Sequence, residues 1–161
     1  MHTPKYPATP AIHMLREHKV EFEPHLFSYE ERGGTSVSSR ELGVSENIVI
    51  KTLIMQTDAK EPLVVLMHGD KQVSTKELAR TLGVKAISPC KPEDANRHSG
   101  YQVGGTSPFG TRKKMPIYIQ KTILDLKEIY INGGGKGFLV SLDPLELVRV
   151  LNPTPVDVAI D

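Results

Sequence analysis

The sequence predicts one α/β domain built on a mixed sheet, and three observations carry that reading. At 161 residues the chain suits a single domain, which buries about two thirds of the surface its unfolded form exposes. Two apolar runs, Ile48–Met55 and Leu63–Met67, have the length of buried central strands, with Asp58–Pro62 as the turn between them. Helix start and stop signals recur around these runs, but without the regular strand–helix alternation of a doubly wound sheet.

Thr9 and Pro10 suit the N-cap and first position of a helix that carries Ile12 and Leu15 on one side and runs to about His18. Val20–Phe27 reads as a strand, and its Pro24 places it at an edge. Gly33-Gly34 is a loop, after which Ser36 caps a short helix closed by Gly43. Ser74 and Glu77 form a capping box for a helix bearing Leu78 and Leu82 and ending at Gly83. Pro92-Glu93-Asp94 opens another helix, since acidic residues suit a helix N-terminus. Met115–Ile119, Ile129–Ile131 and Phe138–Leu142 are strand-like, and Asp143-Pro144 opens a last helix with Leu147 and Leu151. No linker, repeat or low-complexity stretch divides residues 1–161, so one domain is expected.

Hydrophobic residues at 39% and charged residues at 24% describe an ordinary globular chain. With 20 Lys plus Arg against 19 Asp plus Glu, the net charge is +1, so any nucleic acid has to be held by a local basic patch. The lone Cys90 excludes an internal disulfide and a cysteine-based zinc site, which fits a reducing compartment. Met1–Ala11 lacks a signal-peptide core, and no run nears the roughly 18 apolar residues of a membrane span. A cytoplasmic location without membrane contact is therefore expected.

Familiar catalytic signatures are mostly missing. None of the six histidines forms His-Glu-x-x-His, and the nearest pair, His13 and His18, does not share a helix face, so no metal site is expected. Ser107 resembles a nucleophile elbow until its neighbours are read. Phe109 stands where glycine is required, and Pro108 has no N–H to offer an oxyanion. Gly105 and Gly110 have P-loop spacing, but Thr111-Arg112 replaces Lys-Ser/Thr.

What remains is a glycine-rich turn around Gly104-Gly105 followed by Arg112, Lys113 and Lys114, either a turn with a solvated basic tail or an anion-binding loop. A second cluster, Asn132-Gly133-Gly134-Gly135-Lys136-Gly137, reads as a hairpin turn or as the opposite wall of a groove. Lys51 interrupts an apolar strand. A buried, unpaired ammonium costs several kcal/mol as an order of magnitude, so it must be paired, reach the surface or line a pocket.

These segments together resemble the YbaK/EbsC family, which is similar to the editing domain of bacterial prolyl-tRNA synthetases. The resemblance rests on Ile50-Lys51-Thr52-Leu53, on the run from Ser99-Gly100-Tyr101 through Gly104-Gly105-Thr106-Ser107-Pro108-Phe109-Gly110, and on Ile129-Tyr130-Ile131-Asn132-Gly133-Gly134. Thr9-Pro10-Ala11 and Leu42-Gly43-Val44 also fit, so it spans roughly residues 9 to 159.

The resemblance implies a mixed, barrel-like sheet flanked by helices, with a pocket for the terminal adenosine of tRNA and its amino acid. It implies Lys51 as the catalytic group, with Phe27, Thr52, Gly104, Gly105, Ser107, Asn132 and Gly133 at the substrate and no cofactor. The partner is an aminoacylated tRNA 3′ end, with Arg112, Lys113 and Lys114 as its basic contact and prolyl-tRNA synthetase as a candidate second partner. Two departures stand out. Phe27 replaces a frequent Tyr, and Asn132 replaces a frequent Ser.

The implied reaction is hydrolysis of mischarged tRNA in trans, foremost Cys-tRNA(Pro), with either the substrate's own thiol attacking or, as in prolyl-editing relatives, a bound water assisted by the ribose hydroxyl. Deacylation of another small amino acid, as in Ala-tRNA(Pro), binding without catalysis, and a metal-dependent hydrolase are the alternatives. An aminoacyl ester is already activated, so positioning and charge stabilisation are sufficient catalysis.

Overall fold

Thr9 opens the first helix as its neighbours require: its hydroxyl accepts the N–H of Ile12, and Pro10 takes a position whose N–H has no partner. The computed structural model describes residues 5–161, and Met1–Pro4 lie outside them. Helix α1 (Pro10–Glu17) leads into strand β1 (Glu23–Leu26), shorter than the expected Val20–Phe27. Helix α2 (Gly34–Leu42) begins two residues before Ser36, whose hydroxyl instead donates to the Gly33 carbonyl, and Gly43 closes it with φ 67°.

A short 3-10 turn, Glu46–Ile48, then feeds β2 (Val49–Thr57), which returns as β3 (Pro62–His68). Strand β4 (Gln72–Val73) precedes α3 (Thr75–Leu82), capped by Ser74 through the Glu77 N–H. Strand β5 (Ile87–Pro89) and α4 (Pro92–Ser99) follow. The last third holds β6 (Ile117–Gln120), β7 (Ile129–Gly135), β8 (Phe138–Leu142), α5 (Leu145–Leu151), β9 (Thr154–Val156) and β10 (Ala159–Ile160).

The main sheet runs β1-β8-β7-β2-β3-β6-β9, with β5 added to β2, while β10 pairs with β4 separately. It is mixed: β2–β7, β3–β6 and β6–β9 are parallel, and the β2–β3, β7–β8 and β1–β8 pairs are antiparallel. The path has two ends, at β1 and β9, so the sheet does not close on itself. Pro24 sits on the β1 edge, where its missing N–H costs no ladder bond.

Both sheet faces are packed. On one, Ile50, Ile54, Leu66, Ile119, Ile131 and Val140 meet Ile12 and Leu15 of α1 and Leu147 of α5. On the other, Met55, Leu63, Val65 and Met67 meet Leu78 of α3 and Ile87. Each fully buried side chain of this size contributes about 1.5–3 kcal/mol relative to exposure. The candidate site lies on this second face, where β2 meets β7.

Candidate active site

Register decides which residues meet. Val49 pairs with Tyr130 and Ile50 with Ile131, and the parallel ladder of β2 and β7 stops there. Side chains alternate along a strand, so with Ile50 and Ile131 in the core below, Lys51 and Asn132 rise side by side on the opposite face. Beyond this point β2 takes β5 as its neighbour, from Met55 onward, and the two parallel strands part. A crevice at the carboxyl ends of diverging parallel strands is a common place for a ligand.

The Lys51 side chain is half-buried, and its ammonium donates to the backbone carbonyl of Lys71 in the turn between β3 and β4. Burial pushes its pKa below the ordinary lysine value, while the Glu46 and Asp70 carboxylates push the other way. That single bond leaves two N–H donors uncommitted among the described residues. Glu46 is held by the Thr35 hydroxyl at 2.7 Å, and Asp70 by the Asn47 amide at 3.0 Å.

Thr52 follows Lys51 and therefore points to the other face, where its hydroxyl is buried without a hydrogen-bond partner. The expectation that both side chains share one pocket is corrected by this alternation. Thr52 reaches the crevice through its backbone. Cys90 N–H binds the Ile54 carbonyl on the edge away from β3, and Thr52, two residues earlier, presents its N–H and C=O to that same edge.

Two glycine loops meet beside Asn132, which bonds to both. The first, Tyr101–Gly110, is tied at its stem by Arg112 N–H to the Ser99 carbonyl and by the Tyr101 hydroxyl to the Phe109 carbonyl. Burial pushes the Tyr101 phenol up to about 12. The second is the β7–β8 hairpin, where the register shifts between Asn132 and Gly135. The loops touch backbone to backbone: a Cβ on Gly105 would stand 2.8 Å from the Gly135 carbonyl carbon and 2.9 Å from the Lys136 nitrogen. Gly133 has no such room either, because a Cβ there would meet the Phe138 ring at 2.6 Å.

Helix α1 anchors both loops. Gly110 packs against the Pro10 backbone, and the Thr9 hydroxyl donates to the Gly133 carbonyl. Phe27 is half-buried, and its N–H binds the Gly137 carbonyl, which sets it beside the second loop.

Asn132 spans the two loops. Its Oδ1 accepts from the N–H groups of Gly134 (2.6 Å) and Gly135 (3.0 Å), and its Nδ2 donates to the Gly104 carbonyl at 3.3 Å. Gly105 N–H closes its own turn on the Gln102 carbonyl. The Gly105, Gly134 and Gly135 amides are thus spent inside the protein, which leaves Lys51 as the charged donor at the crevice.

Ser107 is fully buried, and its hydroxyl accepts the Phe109 N–H at 3.2 Å. The structure directs it into the interior as a turn cap, away from the crevice. Arg112, Lys113 and Lys114 are exposed and make no ion pair among the described residues. The Lys113 N–H binds the His98 carbonyl, which lays the run along the last turn of α4. Burial, then Arg97 and Lys113, hold the His98 pKa down. Arg97 is paired with Asp94 at 2.9 Å and Lys136 with Glu31 at 3.1 Å, so neither extends a free patch.

Sequence reasoning missed Tyr29. A Cβ on Gly104 would fall 2.4 Å from its hydroxyl oxygen, and Lys136 sits 5.2 Å from its ring centre. The signal available was its position two residues beyond Phe27. No group of three or more His, Cys, Asp or Glu is placed to hold a metal among the described residues, and no helix there is long and apolar enough to cross a membrane.

Residues 32–150 match the family described as the aminoacyl-tRNA editing domain. The chain is 28% identical over 145 residues to the Enterococcus faecalis protein named "Putative Cys-tRNA(Pro)/Cys-tRNA(Cys) deacylase EbsC", covering 89% of this chain and 88% of the relative. It is 36% identical over 97 residues to the proline–tRNA ligase of Thermodesulfovibrio yellowstonii, or 59% of this chain but 16% of the ligase. Among solved structures, one described as "a putative trans-editing enzyme for prolyl tRNA synthetase" superposes with a TM-score of 0.81 at 17% identity, covering 96% of this chain and all (100%) of that one. A crystallised hypothetical protein superposes with a TM-score of 0.86 at 22% identity, covering 94% of this chain and 100% of that one. These two share the fold, and the family match reaches across the strand bearing Lys51, both glycine loops and the hairpin of Asn132. The chain belongs to the aminoacyl-tRNA editing domain family, whose members are deacylases of aminoacyl-tRNA.

Proposed function

We propose that the protein hydrolyses Cys-tRNA(Pro) in trans, with the crevice between β2, Gly104-Gly105 and Gly133 as the seat of the aminoacyl-adenosine. The observation that carries this reading is Lys51, a half-buried ammonium with uncommitted donors on the sheet face opposite Ile50 and Ile131. No protein nucleophile is required. Cysteine thiols titrate near pH 8.5, so part of the substrate is thiolate at neutral pH. Its sulfur bonds to the ester carbonyl carbon, and the oxyanion that forms is stabilised by the Lys51 ammonium. Collapse breaks the C–O bond, the leaving ribose oxygen takes a proton from water, and a second water opens the strained thiolactone to free cysteine and returns the proton balance to that of ester hydrolysis.

Phe27 offers an apolar surface beside the second loop, Gly104 and Gly105 let the substrate approach the first, and the Thr52 backbone faces the same crevice. Arg112, Lys113 and Lys114 hold the tRNA backbone. The similarity to EbsC over most of both chains supports the cysteinyl substrate, and the ligase match supports proline tRNA.

The test is a panel of Cys-, Ser-, Ala- and Pro-tRNA(Pro), with and without prolyl-tRNA synthetase. Rapid release of cysteine with little release of serine is expected, since serine replaces the thiol with a hydroxyl that does not ionise at neutral pH. Equal rates on the cysteinyl and seryl esters overturn the thiol mechanism, and release of alanine alone overturns the substrate.

A further inference from the structure

We infer that Asn132 is a positioning residue that clasps the two glycine loops across the mouth of the crevice, and that its side chain does not touch the substrate. This role rests on the deacylase reading above. An asparagine amide offers two acceptor sites on Oδ1 and two donors on Nδ2. Both acceptor sites are occupied, by Gly134 and Gly135 N–H, and one donor is committed to the Gly104 carbonyl. The partners also fix which way the amide faces, because one end meets two N–H groups and the other a carbonyl. The side chain is half-buried beside Lys51 and already committed at both ends.

The bridge has a mechanical consequence. Gly104 and Gly134 have φ of 94° and 101°, backbone conformations in which the chain is held by little of its own. Gly105 lies flat against the Gly135 backbone, so the gap between the loops is set by contact on one side and by the Asn132 bridge on the other. Helix α1 anchors the stems of the loops, and the Asn132 bridge fixes their separation at Gly104. A small displacement of a positioned ester is costly, of order 100-fold in rate for about 1 Å.

Two variants separate the bridge from the turn. Asn132→Asp keeps both acceptors for Gly134 and Gly135 but loses the donor to Gly104, whereas Asn132→Ala loses everything. Steady-state deacylation of Cys-tRNA(Pro) should show kcat reduced about 10- to 100-fold in both, with KM within about threefold of the unsubstituted protein. Amide exchange reports the clasp without turnover. Gly134 and Gly135 should stay protected in N132D and lose protection in N132A, while NMR order parameters at Gly104 and Gly105 should fall in both. A tenfold rise in KM at unchanged kcat marks a substrate contact and overturns the inference, as do variants within twofold of an active unsubstituted protein. An unsubstituted protein inert on every ester would sink the deacylase reading, and the positioning role with it.

Discussion

Lys51 and Asn132 stand side by side on one face of the sheet because the residues before them, Ile50 and Ile131, are register partners in a parallel pair. One ammonium and one amide bonded at both its ends are thereby set at the point where the two strands part. The site's chemistry follows from that separation.

Replacement of Lys51 by alanine should leave the fold intact, because the side chain is half-buried and its one bond goes to a backbone carbonyl. Deacylation should fall roughly 30- to 150-fold, the equivalent of about 2–3 kcal/mol for a lost charge-assisted contact. Activity within twofold of the unsubstituted protein, in a variant with native circular dichroism, would refute the assignment.

In the proposed reaction the protonated lysine is the active form, and burial lowers its pKa. Catalysis should therefore decline on the alkaline side at a pH below the ordinary lysine value of about 10.4. Asp70 opposes that shift, so Asp70→Asn should move the decline to still lower pH. The comparison is made on one substrate, so that thiol ionisation cancels. A decline that stays in place or moves upward contradicts the electrostatics.

Gly105→Ala should be far more damaging than its size suggests. The new methyl would press on the Gly135 and Lys136 backbone, which cannot turn away as a side chain could. Overpacking of this kind costs about 1–3 kcal/mol and would widen the crevice. Loss of most turnover with a modest drop in melting temperature is expected, and a fully active G105A would show that loop contact is dispensable.

Neutralising Lys113 and Lys114 together should weaken tRNA binding and flatten its salt dependence, by about 0.7 in log–log slope per lost contact on a single-stranded end. Turnover of an aminoacylated adenosine without the tRNA body should be unchanged. Unaltered affinity and salt slope would place the tRNA on another face.

Tyr101→Phe removes the bond from the buried phenol to the Phe109 carbonyl, which should cost about 1–2 kcal/mol at neutral pH. The folded-state pKa is raised to about 12, so the phenol's contribution is complete below its ordinary value of about 10 and is lost as pH climbs toward 12. Chemical denaturation across that window should show the unsubstituted protein losing stability that Y101F does not lose.

Much of this was legible from local chemistry. The caps at Thr9, Ser74 and Gly43 and the central strands were readable because each is settled within a few residues. Lys51 was conspicuous because a charge in an apolar run needs a reason. Strands β4, β5, β9 and β10 were not visible, since two or three residues carry no period and exist only by pairing with distant partners.

The face of Thr52 was within reach of simple alternation, but the motif it shares with Lys51 drew both toward one pocket. Ser107 sat in a conspicuous motif, and nothing nearby revealed that its hydroxyl turns inward. The second glycine cluster is the hairpin its composition suggested, and its role as a wall depends on the first loop, a contact made far along the chain.

The pairing of residues 49 and 50 with 130 and 131 spans about half the chain. A contact so distant in sequence is entropically expensive to close and forms late when a protein folds. The crevice therefore has no existence in any partly folded intermediate that has made only the β2–β3 hairpin. Recovery of deacylase activity during refolding should report completion of the whole sheet.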